Sequence, residues 1–185
     1  MADFNVFEMM LFTLWIYLPG FLVNTFAMMW GKWLPKTGYG PWPIDGGRMH
    51  KDGNRLLGDG KTWNGLIGGS LTSGLLCYLM TMIPENWVFI SPTEAATGWA
   101  ASAFVLGTFL GFTSLVGDST GSYFKRRKGM KREGDVSSKA PLLDTLPFAI
   151  SVFVFGQLFL TGSAHGDREL IVPMVLLVVI TPILH

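Results

Sequence analysis

The chain has 185 residues, of which 49% are hydrophobic and only 15% charged, whereas soluble domains carry about a quarter of their residues as charges. That excludes an ordinary water-soluble globule. A disordered chain is excluded by the apolar content and a disulfide-stapled one by the single cysteine, Cys77. The formal net charge of +1 conceals a very uneven distribution.

A membrane-crossing helix needs about 20 mostly apolar residues. Residues 9–30, 63–83, 95–116 and 146–164 meet that requirement, and residues 170–184 form a shorter run rich in Val, Leu and Ile. The expected fold is an all-α integral membrane protein, one membrane domain over residues 1–185 with about five transmembrane helices. The first eight residues lack a basic segment, so the first span is expected to be retained rather than cleaved. Small residues recur at four-residue spacing, as in Gly65 with Gly69, Ser70 with Gly74 and Gly107 with Gly111. Such pairs let helix backbones approach closely, and packing inside one bundle is expected rather than a dimer face.

Residues 31–62 and 117–141 hold thirteen of the fourteen Lys and Arg residues; the exception is Arg168. Five alternating spans place both of these long loops and the C-terminus on one side. The positive-inside rule makes that side the cytoplasm and puts the N-terminus outside.

Both loops carry polar chemistry. The first contains PWPIDGGR and GDGKTWNG, the second begins GDSTGSYFKRRKGMKREGD, and the fourth span opens PLLDTLPF. Glycine lets backbone amides close on phosphate, Arg and Lys neutralise it, and carboxylates hold hard cations. Gly60-Lys61-Thr62 is not a P-loop, because Arg55 stands where the upstream glycine is required. Lys61 and Thr62, where the second span begins, fit either an anion site at a helix N-terminus or a plain helix start with a snorkelling lysine.

Asp118 is expected at the C-terminal end of the third span, where the helix dipole favours a cation. Asp144, at the entry of the fourth, is either an N-cap or a second acid. Together they suggest one Mg²⁺ held against phosphates, with Asp45 and Asp59 completing or supporting the site. Asp52, Glu133 and Asp135 read as solvated charges. The run Lys125-Arg126-Arg127-Lys128 fits either a lipid-facing topology signal or a phosphate site. The three histidines show no metal-ligand spacing, and no nucleic-acid partner is expected. A small anion transporter or channel is the alternative class, although its polar residues would be expected at the bilayer midplane.

The segment from Gly117 to Phe148 resembles the CDP-diacylglycerol synthase superfamily, whose Ser-x-x-Lys-Arg-x-x-x-x-Lys signature corresponds to Ser122, Lys125, Arg126 and Lys131. Arg132 replaces that family's aspartate, its His-Gly-Gly segment is missing, and Asp144 stands where its later aspartate would be. The archaeal branch, the CDP-archaeol synthases, is a closer likeness over most of the chain: IDGGR, GDGKTWNG, GD-x-x-GS-x-x-KRR and LLD.

The resemblance implies cytidylyl transfer from CTP to an isoprenoid ether lipid phosphate, 2,3-bis-(O-geranylgeranyl)-glycerol 1-phosphate, with release of pyrophosphate. Mg²⁺ is the implied cofactor, and the cytoplasmic face of the cell membrane the implied location. On this reading Asp118 and Asp144 hold the metal. Lys125, Arg126 and Arg127 neutralise the triphosphate and the lipid phosphate. Gly117, Gly121 and Ser122 shape the motif, while Lys61, Asp59, Thr62, Lys131, Asp45 and Arg48 contact substrate.

Overall fold

The computed structural model describes residues 6–83, 103–130 and 141–159, together with Val175. Four α-helices lie within them: α1 Val6–Trp33, α2 Trp63–Met80, α3 Ala103–Arg127 and α4 Pro141–Phe159. A 3₁₀ turn, Leu34–Thr37, prolongs α1, and among the described residues there are isolated β-bridges but no strand. The fifth expected span, residues 170–184, lies outside the described residues apart from Val175, as does the start of the third.

The ends of the helices follow from local chemistry. The turn after α1 closes on Gly38 at φ +90°, whose N–H donates to Pro35 O. Thr62 caps α2, with extended backbone and its hydroxyl accepting from Gly65 N at 3.1 Å. α4 opens on Pro141, whose missing N–H costs nothing in a first turn.

One boundary differs from expectation. Residues 117–127 were expected to open the second loop, and they are helical. Gly117, Gly121 and Ser122 are buried within the helical bundle instead of turning the chain. A Cβ on Gly117 would lie 2.3 Å from Ser151 Oγ and 2.6 Å from Pro147 O on α4, and Gly121 and Ser122 are buried. Tertiary packing overrides the turn propensity of these residues. Three cations in the last turn, Lys125, Arg126 and Arg127, suit the negative end of the helix.

The contacts run in alternating directions. The end of α1 meets the start of α2, since a Cβ on Gly65 would lie 2.9 Å from Ala27 O. The end of α2 meets the start of α3, where Gly74 abuts Phe104 O and Gly107 abuts Ser73 O. The end of α3 meets the start of α4 at Gly117. The small-residue pairs are therefore spent inside the bundle. Buried Ser73 sits where three helices converge, its hydroxyl 2.9 Å from both Pro19 O on α1 and Gly107 O on α3. An apolar cluster of Ile16, Tyr17, Leu106, Leu110, Val152 and Phe155 fills one level, and Val23, Leu66 and Leu115 fill the next.

Outward faces are apolar as well. Ile67, Leu71, Leu75 and Leu79 on α2, and Leu146, Ile150, Val154 and Leu158 on α4, are exposed at every fourth position. Such stripes suit acyl chains rather than water. Thr13–Thr37 and Ala103–Arg127 are long and apolar enough to cross a membrane, and Thr145–Gly156 is a shorter apolar helix.

The close approaches give a stability prediction. On Gly107 a Cβ would lie 2.3 Å from Cys77 Cβ and 2.8 Å from a main-chain oxygen, whereas on Gly31 the nearest atom, Thr62 Oγ1, would be 3.4 Å away, an ordinary contact. Gly107→Ala should cost about 1–3 kcal/mol and lower the apparent Tm in detergent clearly more than Gly31→Ala does.

Candidate active site

The segment 38–62 folds back over the end of the bundle formed by the end of α1, the start of α2 and the end of α3. Asp45 organises it. The residue is 6% exposed, and its carboxylate accepts from Gly47 N at 3.1 Å, Leu57 N at 3.0 Å and Gly58 N at 3.1 Å. Arg55 adds Nη2 at 2.7 Å and Nε at 3.2 Å. Burial opposes ionisation of Asp45, but the Arg55 guanidinium and the three amides outweigh it and hold the carboxyl well below the usual range.

A carboxyl depressed in the folded state contributes stability at any pH above its unfolded value of about 3.9, and that contribution fades as pH falls through the depressed value. Asp45→Asn should therefore cost about 2–3 kcal/mol near neutrality, and the gap to the parent chain should narrow below about pH 4. Thermal denaturation across pH 3 to 7 would show both effects.

Arg127 straps this segment to α3. Its Nη1 lies 2.9 and 2.8 Å from the two Asp52 carboxylate oxygens, and its Nη2 donates to Arg55 O at 2.7 Å. The guanidinium also sits 5.2 Å from the centre of the Tyr123 ring, one turn back on the same helix. Asp52, expected to be a solvated charge, is thus an anchor, and the backbone amide of Asn54, followed by the nearby Arg127 charge, lowers its pKa. Asn64 is buried; its side chain accepts from Trp42 N and donates to Tyr39 O, which fixes the approach to α2. Gly40, at φ +87°, touches that amide so closely that a Cβ would lie 2.7 Å from it.

The strap brings together residues far apart in sequence. Lys61 Nζ donates to the Asp118 carboxylate across 57 positions, and both side chains are partly exposed. Asp118 lies within α3 rather than at its end, so its pairing comes from Lys61 and not from a helix terminus. Asp118, Gly121, Ser122 and Lys125 fall at i, i+3, i+4 and i+7 and so share a face of α3. Arg126 donates to Met130 O at 2.7 Å and lies beside Gly58.

The other expected site residues are placed as follows. Asp59 is exposed and paired with Arg55 at 2.8 Å, Thr62 is the cap of α2, and Arg48 is exposed with its backbone bonded to Asp45 O and Leu56 N. Asp144 falls in the first turn of α4, past Pro141 and not at the cap; its side chain and Lys131 lie outside the described residues. The backbones of the two helices touch at Gly117 and Pro147. At about 1.5 Å rise per residue, Asp118 and Asp144 sit within a turn of that contact.

The neighbouring space is apolar. A cavity of about 290 Å³ lies between the folded segment and α3, lined by Ile44, Leu57, Leu66, Val116, Tyr123 and Phe124 among others. Ser119, next to Asp118, is on its wall.

Comparison with known proteins agrees with the motifs. The model of the CarS-like CDP-archaeol synthase family matches residues 6–185. The chain belongs to the CDP-archaeol synthase family. It is 35% identical to the CDP-archaeol synthase of Methanosarcina barkeri, over 91% of this chain and 90% of that one. For the Thermococcus gammatolerans synthase the identity is 35%, over 95% and 86%, and for that of Archaeoglobus fulgidus 33%, over 96% and 89%. A solved structure described as an intramembrane enzyme for archaeal membrane lipids biosynthesis superposes with a TM-score of 0.61 at 26% identity, covering 95% of this chain and 91% of that one.

For a CDP-archaeol synthase, the residues that sequence reasoning passed over are Arg55, Asp52 and Asn64. Asp52 meets Arg127 and Asn64 meets Trp42 and Tyr39 from remote parts of the chain, and Arg55 reaches back to Asp45 as well as to nearby Asp59, so only the fold shows what they hold together. The helical character of GD-x-x-GS-x-x-KRR was detectable, because its spacing is that of a single helix face.

Proposed function

We propose that the cluster around Lys61 and Asp118 is where this CDP-archaeol synthase transfers a cytidylyl group from CTP to 2,3-bis-(O-geranylgeranyl)-glycerol 1-phosphate. The lipid phosphate would attack the α-phosphorus of CTP, and the bond to the β-phosphate would break, releasing pyrophosphate. The observation that carries this reading is the meeting of Lys61 and Asp118 from separate segments at one end of the bundle, beside an apolar cavity.

The nucleophile is already an anion, so no strong base is needed. The obstacle is repulsion between two anions, and positioned charge overcomes it. Lys61, with Lys125 and Arg126 at the end of α3, neutralises triphosphate and lipid phosphate, while Arg127 is engaged in holding segment 38–62. The Asp118, Gly121, Ser122 and Lys125 face offers small groups where phosphate oxygens need close approach. Val116 and Phe124 beside the cavity suit the first isoprenoid units, and the apolar outer stripes suit a multi-pass chain with this site at the cytoplasmic face.

Mg²⁺ would suit Asp118 beside substrate phosphates. No group of three His, Cys, Asp or Glu side chains converges among the described residues, and Mg²⁺ is usually held by one or two carboxylates with substrate phosphates and water completing its shell. Asp118, with Asp144 from α4, would hold it, and the bound ion would draw charge from the triphosphate.

The alternative of a small anion transporter is disfavoured. The hydroxyls buried at mid-bundle, Ser70, Ser73 and Ser114, are bonded to main-chain carbonyls, so they offer no path. The test uses purified chain, lipid phosphate and Mg²⁺ with CTP labelled at either the α or the γ phosphate. The α label should enter the lipid and the γ label should leave as pyrophosphate; no α label in lipid would overturn the proposal.

A further inference from the structure

Besides its side-chain pair with Asp118, Lys61 is held through its backbone. Its N–H donates to Gly58 O at 3.2 Å, and its carbonyl accepts from Ile44 N at 2.9 Å. Both neighbours are set by the same carboxylate. Ile44 precedes Asp45, and Gly58 N donates to Asp45 at 3.1 Å. Gly58 also has φ +93°, and any Cβ there would lie 3.2 Å from the Arg126 guanidinium, so this turn is pressed between Asp45 and α3.

Arg55 locks the arrangement. Two of its nitrogens fork onto Asp45, a third reaches Asp59 Oδ1 at 2.8 Å two residues before Lys61, and its carbonyl takes the Arg127 strap. One planar guanidinium thus joins the buried carboxylate to the turn that carries Lys61, and the same residue's backbone is tied to the helix that carries Asp118. Lysine cannot reproduce that fork.

We propose that Arg55 is a positioning residue for cytidylyl transfer: acting through Asp45 and Asp59, it fixes Lys61 against Asp118. This rests on the assignment of Lys61 to the site. Arg55 itself does not touch substrate, so its contribution exists only while Lys61 is there to be positioned.

The test is a double-mutant cycle on the full-length chain in detergent, with kcat/KM for CTP measured for Arg55→Gln, Lys61→Gln and the double variant. Arg55→Gln should lose about 10- to 100-fold, the scale expected when a catalytic group is misplaced by about an ångström. On the Lys61→Gln background the same change should cost less than about 3-fold, because effects of residues acting as a unit do not add. Arg55→Lys should recover part of the loss. If Arg55→Gln fails to yield folded protein, Arg55→Lys carries the same cycle.

A loss that repeats in full on an impaired Lys61→Gln background would overturn the positioning role and leave the site assignment standing. Lys61→Gln at the parent rate would instead overturn the assignment of Lys61, and the positioning role with it.

Discussion

Asp118→Asn is expected to lower kcat/KM for CTP by about 10³-fold, the scale seen when a group stabilising transition-state charge is removed. The substitution keeps size and hydrogen-bonding capacity, and Asp118 lies within a continuous helix whose packing rests on neighbours such as Gly117 and Ser122. Folding should therefore survive, and an apparent Tm close to the parent value should accompany the loss. Raising Mg²⁺ should restore little, because the amide would lack the charge proposed to hold the ion. Near-normal Mg²⁺-dependent turnover in this variant, or in Asp144→Asn, would sink the assignment of a metal to these acids.

The second large effect concerns Lys61 and has two opposite readouts. Its ammonium is paired with the Asp118 carboxylate, so a divalent cation arriving alone has to displace it. Lys61→Gln should therefore bind Mn²⁺, used as a spectroscopic probe without nucleotide, several-fold more tightly. The same variant should turn over CTP about 10- to 100-fold more slowly, having lost the cation proposed to meet the triphosphate. A mutation that merely loosened the segment would weaken both. Unchanged Mn²⁺ affinity in Lys61→Gln would contradict the competition at Asp118.

Parts of this were open in the sequence. The apolar runs marked α1, α2 and α4, whose outward as well as inward positions are apolar, because composition carries that directly. Family membership was legible from IDGGR, GDGKTWNG and the GD-x-x-GS-x-x-KRR run. The end of α3 was not read correctly. Gly117, Ser119, Thr120 and Gly121 have the local preferences of a turn, and at Gly117 it is contact with Pro147 and Ser151 that makes smallness an asset in a helix.

Within the site, Asp45 drew notice for its charge and glycine neighbours. Its bonds to Arg55, Leu57 and Gly58 show a carboxylate saturated inside its own segment. The cations of the second cluster also divide: Arg127 is engaged with Asp52 and the Arg55 carbonyl, while Arg126 lies against Gly58. Such pairings depend on how segment 38–62 folds over α3, which no local pattern encodes.

The most direct test is a structure of the full-length chain with CTP and Mg²⁺. It should place the triphosphate between Lys61 and the Asp118 face of α3, with the cation on Asp118 and Lys61 turned from that carboxylate to phosphate. A nucleotide bound elsewhere while Lys61 and Asp118 remain paired would contradict it.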